Sequence, residues 1–310
     1  MKKNVVADLI LLLITIIWGA TFVVVQNAIS TLPPLTFNGI RFFLASAFLF
    51  LFLIMFYRDQ IRIIGKKLLA AGIILGFWLF CGYAFQTVGL LYTTTSKAGF
   101  ITGLSVVLVP LFAFILLKQR PKVAAVAGIL IATVGLYLLT LSDSLTINKG
   151  DFLVFLCAIS FALQIILTGR YAPRFPSLVL SLVQILTVSV LSSIGALFFE
   201  NWQVALKPAA MMTPAVYWAL LITAIPATAL AFLAQTECQK FTTPTRVALI
   251  FAMEPVFAAI TAYFFTSDVL TGRSLAGCLC IFIGMILAEL PLDQIIARVK
   301  EKVSAPIGKN

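Results

Sequence analysis

Long uncharged runs alternate with short polar or basic breaks along the whole chain. The runs Ala98 to Leu117, Val123 to Ser142, Phe175 to Phe199 and Pro208 to Thr236 hold no Asp, Glu, Lys or Arg. Each is near or above the roughly 18–20 residues that cross hydrocarbon as a helix. They are apolar on every face, whereas a barrel strand would alternate lipid-facing and lumen-facing residues, so helices are expected. Runs and breakers together place ten spans at about 8–27, 35–57, 68–91, 95–117, 123–141, 151–170, 177–199, 214–237, 244–266 and 274–290. The pattern predicts an all-α polytopic membrane protein with ten transmembrane helices.

Composition strengthens that reading: 62% of residues are hydrophobic and 11% charged, against roughly one quarter charged in soluble domains. The net charge of +11 does not point to nucleic acid, because the basic residues sit in short breaks between spans. They set topology instead. With the N-terminus inside, the cytoplasmic segments hold every Lys and Arg except Lys97, Lys149, Lys207 and Arg273 on the other side and Arg41 within the second span. The positive-inside rule then predicts a multi-pass protein of the cytoplasmic (inner) cell membrane with both termini cytoplasmic. The first span is expected to be retained rather than cleaved as a signal. Cys81, Cys157, Cys238, Cys278 and Cys280 lie in or beside apolar spans and suggest neither a disulfide framework nor a metal site.

Sliding the chain by 149 residues superposes Gln86-Thr87 on Gln235-Thr236, Thr93-Thr94 on Thr242-Thr243, Lys97 on Arg246, Gly128 on Gly277 and Gly135 on Gly284. A shift of 143 pairs Asp8 with Asp151 and Pro34 with Ser177. The difference fits a longer loop between spans 7 and 8. Two repeats follow, at 1–142 and 143–290, with 291–310 as a cytoplasmic tail. Because each repeat has an odd number of spans, the halves have opposite orientation. The expected architecture is two inverted five-helix repeats, an arrangement found in secondary transporters.

Several local patterns add specificity: Trp18-Gly19-Ala20-Thr21-Phe22 in span 1, Pro34 followed by Arg41 in span 2, Ala98-Gly99-Phe100 leading to Pro110 in span 4, and Glu254-Pro255-Val256-Phe257 in span 9. In their order and spacing the chain resembles the drug/metabolite transporter (DMT) superfamily, specifically its ten-helix EamA type, over nearly all of residues 7–290. The resemblance implies that spans 1–4 and 6–9 surround a central cavity while spans 5 and 10 act as outer supports. It also implies amino acids and related metabolites leaving the cell as first candidates, with nucleosides or drug-like compounds next. The chain departs from the family pattern after spans 4 and 9, where Lys118-Gln119-Arg120 and Thr266-Ser267-Asp268 replace an acidic Gly-Glu pair.

An ionised group at the bilayer centre costs roughly 2.5–3.5 kcal/mol even on insertion scales, so each needs a partner or a purpose. Glu254 falls near the midplane, and Pro255 beside it removes a backbone donor. The carboxylate is a possible coupling site for protons; the alternative is a hydrogen-bonded brace for the kink. Arg41, inside span 2, can hold a substrate carboxylate through two parallel bonds or tie helices together. Lys97 and its repeat mate Arg246 open spans 4 and 9, where a helix N-terminus disfavours a cation, and lipid phosphates would explain both. With Arg41 and Lys97, the candidate substrate pathway comprises Trp18, Thr21, Trp78, Tyr83, Gln86, Gln164 and Gln235, with Gln26 nearby. Aromatic and amide groups of this kind suit an amphipathic solute. Pro110, Pro226 and Pro255 are the expected helix kinks. Gly72 and Gly76 form a small-residue motif expected to serve packing within the chain ahead of a dimer, and oligomeric state is left open.

No P-loop occurs, so transport would draw on a gradient. The sequence predicts a secondary transporter of small polar or amphipathic metabolites by alternating access, for which the resemblance implies export, using no cofactor and partnered by a small-molecule solute and membrane lipids, with protons as a candidate coupling ion. A channel or lipid flippase is the alternative. A membrane-embedded enzyme ranks below both, since histidine and HExxH are missing and catalytic groups are not clustered.

Overall fold

The computed structural model describes residues 2–93, 95–118, 122–140, 148–265 and 271–289. The tail 291–310 and the segments carrying Gln119-Arg120 and Thr266-Ser267-Asp268 lie outside the described residues. Among the described residues, ten long apolar helical segments follow one another, apart from short connecting turns of helix: α1 Lys2–Ile29, α2 Pro34–Phe56, α3 Lys66–Gly89, α4 Thr95–Gly103 continued by Ser105–Leu117, and α5 Val123–Thr140. The second five are α6 Lys149–Tyr171, α7 Ser177–Phe199, α8 Pro214–Ala224 continued through Ile225–Leu230 to Ala231–Cys238, α9 Pro244–Phe251 continued by Glu254–Phe265, and α10 Gly272–Glu289. Among the described residues, eight are long and apolar enough to cross a membrane, and α5 and α10 are apolar but slightly shorter. This is the ten-helix membrane architecture that the run pattern predicts.

Contacts at the helix ends fix the alternation. The start of α6 meets the end of α3, where Gly150 lies against Gly89 and Thr93. The start of α2 meets the end of α7, where Glu200 accepts bonds from the backbone of Leu35 and Thr36 at 2.8 Å. At the face holding the N-terminus, the start of α9 meets the end of α6 through Pro244 and Gly169, and Ser177 donates to Glu237 at 2.6 Å.

Helix packing repeats when the halves are exchanged. The pair α1 and α9 corresponds to α6 and α4, α3 and α6 to α8 and α1, and α3 and α7 to α8 and α2, while α2 with α7 and α5 with α10 map onto themselves. The inverted repeat is therefore present in the packing. Apolar side chains such as Phe50, Phe198, Phe199 and Phe264 point outward, while Asn38, Gln184, Ser181, Thr223 and Thr228 are fully buried. That polarity is inverted relative to a soluble protein, as a hydrocarbon solvent requires.

Glycines set the closest approaches. A Cβ at Gly135 would stand 2.7 Å from the Gly277 carbonyl, and one at Gly277 would stand 2.7 Å from that of Gly135. Gly128 and Gly284 oppose each other in the same way. Side chains here would force apart two helices whose attraction in lipid is van der Waals contact. Gly284→Val is expected to cost about 1–3 kcal/mol by overpacking and to lower the melting temperature in detergent; an unchanged melting temperature would contradict the seam. Gly72 and Gly76 serve packing inside the chain, where Val183 and Thr187 of α7 fill the space beside them.

Candidate functional site

A cavity opens among α1–α4, α6, α8 and α9, and three irregularities in these helices shape it. In α9 the helix breaks at Ala252–Met253, immediately before Glu254-Pro255. Pro255 has no N–H to donate back one turn, so the helix restarts with Glu254 at its first position. Gly19 of α1 sits against this break, and a Cβ there would lie 2.7 Å from the Glu254 carbonyl. The break in α4 falls at Leu104, which the 149-residue shift relates to Met253. Pro110, an expected kink, stays inside the continuous helix Ser105–Leu117. Gly99 and Gly103 weaken the helix just before Leu104, and the Leu136 side chain occupies the space at Gly103.

The third irregularity is the wider π turn Ile225–Leu230 in α8, which contains Pro226. Its loosened backbone gives polar partners to the cavity, a common use of such turns. Trp18 Nε1 donates to the Ala227 carbonyl at 2.8 Å, and Arg41 Nε donates to Thr228 Oγ1 at 2.8 Å. Arg41 is only 3% exposed. Its guanidinium carbon lies 5.0 Å from the Tyr83 ring centre and 5.4 Å from that of Phe42, distances at which aromatic faces stabilise a desolvated cation.

Trp18, Thr21, Arg41, Tyr83, Gln86, Gln164, Gln235 and Glu254 all line one cavity, of about 90 Å³ measured over positions open to a water centre. That is several times the space a single water needs. The aromatic wall continues from Trp18 to Phe251 at 4.9 Å and Phe232 at 5.5 Å, and from Tyr83 to Phe161 at 5.3 Å. Arg41 and Glu254 make no ion pair with each other; among the described residues the ion pairs are Lys97 with Asp151, Lys240 with Glu237 and Arg246 with Asp8. A cation and a half-buried carboxylate thus face one aromatic-lined space without neutralising each other directly.

Several expectations are corrected. Trp78 is not among the lining residues and packs edge-on to Phe77 at 5.5 Å. Gln26 is exposed and also outside the lining. Lys97 lies 3.9 Å from Asp151 rather than in the cavity. Arg246 pairs with Asp8 at the other face, so the two cations that open α4 and α9 have repeat-related carboxylates where lipid phosphates were expected. Asp151 also caps its own helix with Asn148 and accepts from Thr93. Helix α7, expected at the cavity wall, contributes no lining residue and packs behind α2 and α3. Sequence reasoning missed the wall residues Phe161, Phe232 and Phe251. The repeat carried the signal for two of them, since the shifts relate Trp18 to Phe161 and Tyr83 to Phe232.

Residues 5–141 and again 148–290 match the model of the EamA-like transporter family. The chain belongs to the EamA-like transporter family. An uncharacterized transporter of Archaeoglobus fulgidus is similar at 34% identity, covering 93% of this chain and 87% of that protein. A probable amino-acid metabolite efflux pump of Salmonella typhimurium is 25% identical over 88% of this chain and 91% of its own length. The uncharacterized transporter YoaV of Bacillus subtilis is 22% identical over 88% and 93%. A solved crystal structure shares the fold, with a TM-score of 0.77, 20% identity and coverage of 93% of this chain and 98% of that one. The protein is thus a multi-pass membrane transporter of the EamA type.

Proposed function

We propose that this EamA-like transporter exports small zwitterionic or amphipathic metabolites, such as amino acids, across the cytoplasmic membrane by alternating access. The observation that carries the reading is the shared cavity of Arg41 and Glu254. A guanidinium that no carboxylate neutralises is suited to a substrate carboxylate held by two parallel bonds. Glu254, across an aromatic wall, is suited to the ammonium end of the same solute or to a proton. Trp18, Tyr83, Phe161, Phe232 and Phe251 accept an apolar side chain, and Thr21, Gln86, Gln164 and Gln235 supply neutral polar contacts. The amino-acid metabolites named for the Salmonella relative agree with this chemistry.

The two halves, 1–142 and 143–290, act in this reading as the moving units, with both termini in the cytoplasm as the loop charges suggest. Comparison of metabolites retained by cells with and without the protein tests the assignment. Cells lacking it are expected to retain one or more zwitterionic metabolites, and a difference confined to lipids would favour a flippase instead.

A further inference from the structure

Exchange of the halves superposes hydrogen bonds as well as helices. Asn38 Nδ2 donates to Thr87 Oγ1 at 2.9 Å, and Ser181 Oγ donates to Thr236 Oγ1 at 3.0 Å. The 143-residue shift relates Asn38 to Ser181, and the 149-residue shift relates Thr87 to Thr236. Burial does not follow the same exchange. Val25, Leu90 and Gly99 line the cavity on its way to the face opposite the N-terminus. Their counterparts toward the N-terminal face, Thr168, Gln239 and Ala248, are 0%, 2% and 1% exposed. The described conformation is open in one direction and closed in the other.

The closed side carries a run of polar groups within its apolar packing. Gln235 Nε2 donates to Gln164 Oε1 at 3.2 Å, and Gln164 Nε2 reaches Thr168 Oγ1 at 3.0 Å and Gln184 Oε1 at 3.4 Å. Gln184 Nε2 continues to Thr236 Oγ1 at 3.3 Å. Two of these contacts, at 3.3 and 3.4 Å, are longer than the ordinary 2.7–3.2 Å range. Beyond them, neither Oε1 nor Nε2 of Gln239 has a partner. A buried amide left so carries a desolvation penalty that a hydrated or solute-filled state would relieve. A permanent plug would have no use for it. At the corresponding places on the open side stand Val25 and Leu90, and Gln184 takes the position that Arg41 has in the first half.

We propose that this seam, running from Gln164 and Gln235 through Gln184, Thr168 and Thr236 to Gln239, is the solute's route to the N-terminal face. It opens when the halves exchange conformations. Gln184 and Gln239 are its solute contacts, offering amide donors and acceptors to both ends of a zwitterion. The inference rests on the alternating-access reading above.

Cysteine accessibility in the full chain tests it, in a background where all five native cysteines are replaced by alanine. The protein is placed in membrane vesicles of each orientation and treated with an impermeant methanethiosulfonate reagent. From the N-terminal face, Thr168→Cys and Gln184→Cys are expected to react about tenfold faster than Val179→Cys, because only transiently opened sites are labelled. Val179 is equally buried on α7 but takes no part in the seam. Val25→Cys is expected to react from the opposite face. The two seam reporters sit on different helices, so if one variant fails to elute as a monodisperse species the other decides.

If both seam variants react no faster than Val179→Cys while Val25→Cys reacts from the opposite face and vesicles still exchange a radiolabelled mixture of neutral amino acids, the route is overturned and alternating access survives. Equal labelling of Val25→Cys from both faces would instead overturn alternating access itself, and the seam with it.

Discussion

Arg41→Lys is expected to lower solute turnover about a hundredfold in reconstituted vesicles, with the protein still folded and still positively charged at that position. The site asks for more than a point charge. Arg41 uses Nε on Thr228 at 2.8 Å and stacks near Tyr83 and Phe42, and none of the ion pairs among the described residues involves it. An ammonium cannot bond Thr228, lie against the rings and grip two oxygens together. Hydrogen bonds to charged groups contribute about 1.5–3 kcal/mol each, and a loss in that range is about one to two orders of magnitude in affinity or rate. Full turnover and unchanged half-saturation in Arg41→Lys would show that the guanidinium only ties α2 to α8.

Glu254→Gln is expected to separate exchange from accumulation. Glu254 lines the cavity at the restart of α9, against the Gly19 backbone of α1. Movement of α9 relative to α1 would therefore change how much water its carboxylate meets. A carboxylate that is wet in one state and dry in the other can take up and release a proton once per cycle. Glutamine keeps the shape and cannot titrate. The variant should exchange solute across the membrane yet fail to concentrate it when a pH difference is imposed, whereas wild type concentrates it. Wild-type accumulation by Glu254→Gln would assign the residue to bracing the helix restart at Pro255.

The sequence makes the helices legible because hydrocarbon leaves so few options: a long uncharged run must cross as a helix or be buried. The repeat is legible for a different reason, since matched glycines and polar residues recur at single shifts. Eight proposed site residues meet in one cavity because a polar group in a span has few places to go except inward. Trp78 and Gln26 fail by that same logic. A tryptophan on a span is as satisfied beside Phe77 as in a cavity, and a glutamine near a helix end reaches the exposed surface. Lys97 was misassigned because its carboxylate lies on another helix, though Asp8 and Asp151 were already visible as repeat mates. Proline is a partial guide to where helices break: Pro226 and Pro255 lie in irregular turns or beside them, while Pro110 stays inside a continuous helix. The break at Leu104 depends on which neighbour fills the space at Gly103, which a linear pattern does not encode.

Counterflow tests the central claim most directly. Vesicles holding the purified protein are loaded with a high concentration of one zwitterionic amino acid and diluted into a trace of the same compound in radiolabelled form. The panel runs through neutral amino acids of increasing side-chain size. A carrier that exposes one Arg41–Glu254 site to alternate faces predicts, for at least one member, saturable uptake with a transient overshoot that depends on the internal solute and disappears in Arg41→Lys. Uptake that rises linearly with concentration and ignores the internal solute would contradict alternating access and identify a pore.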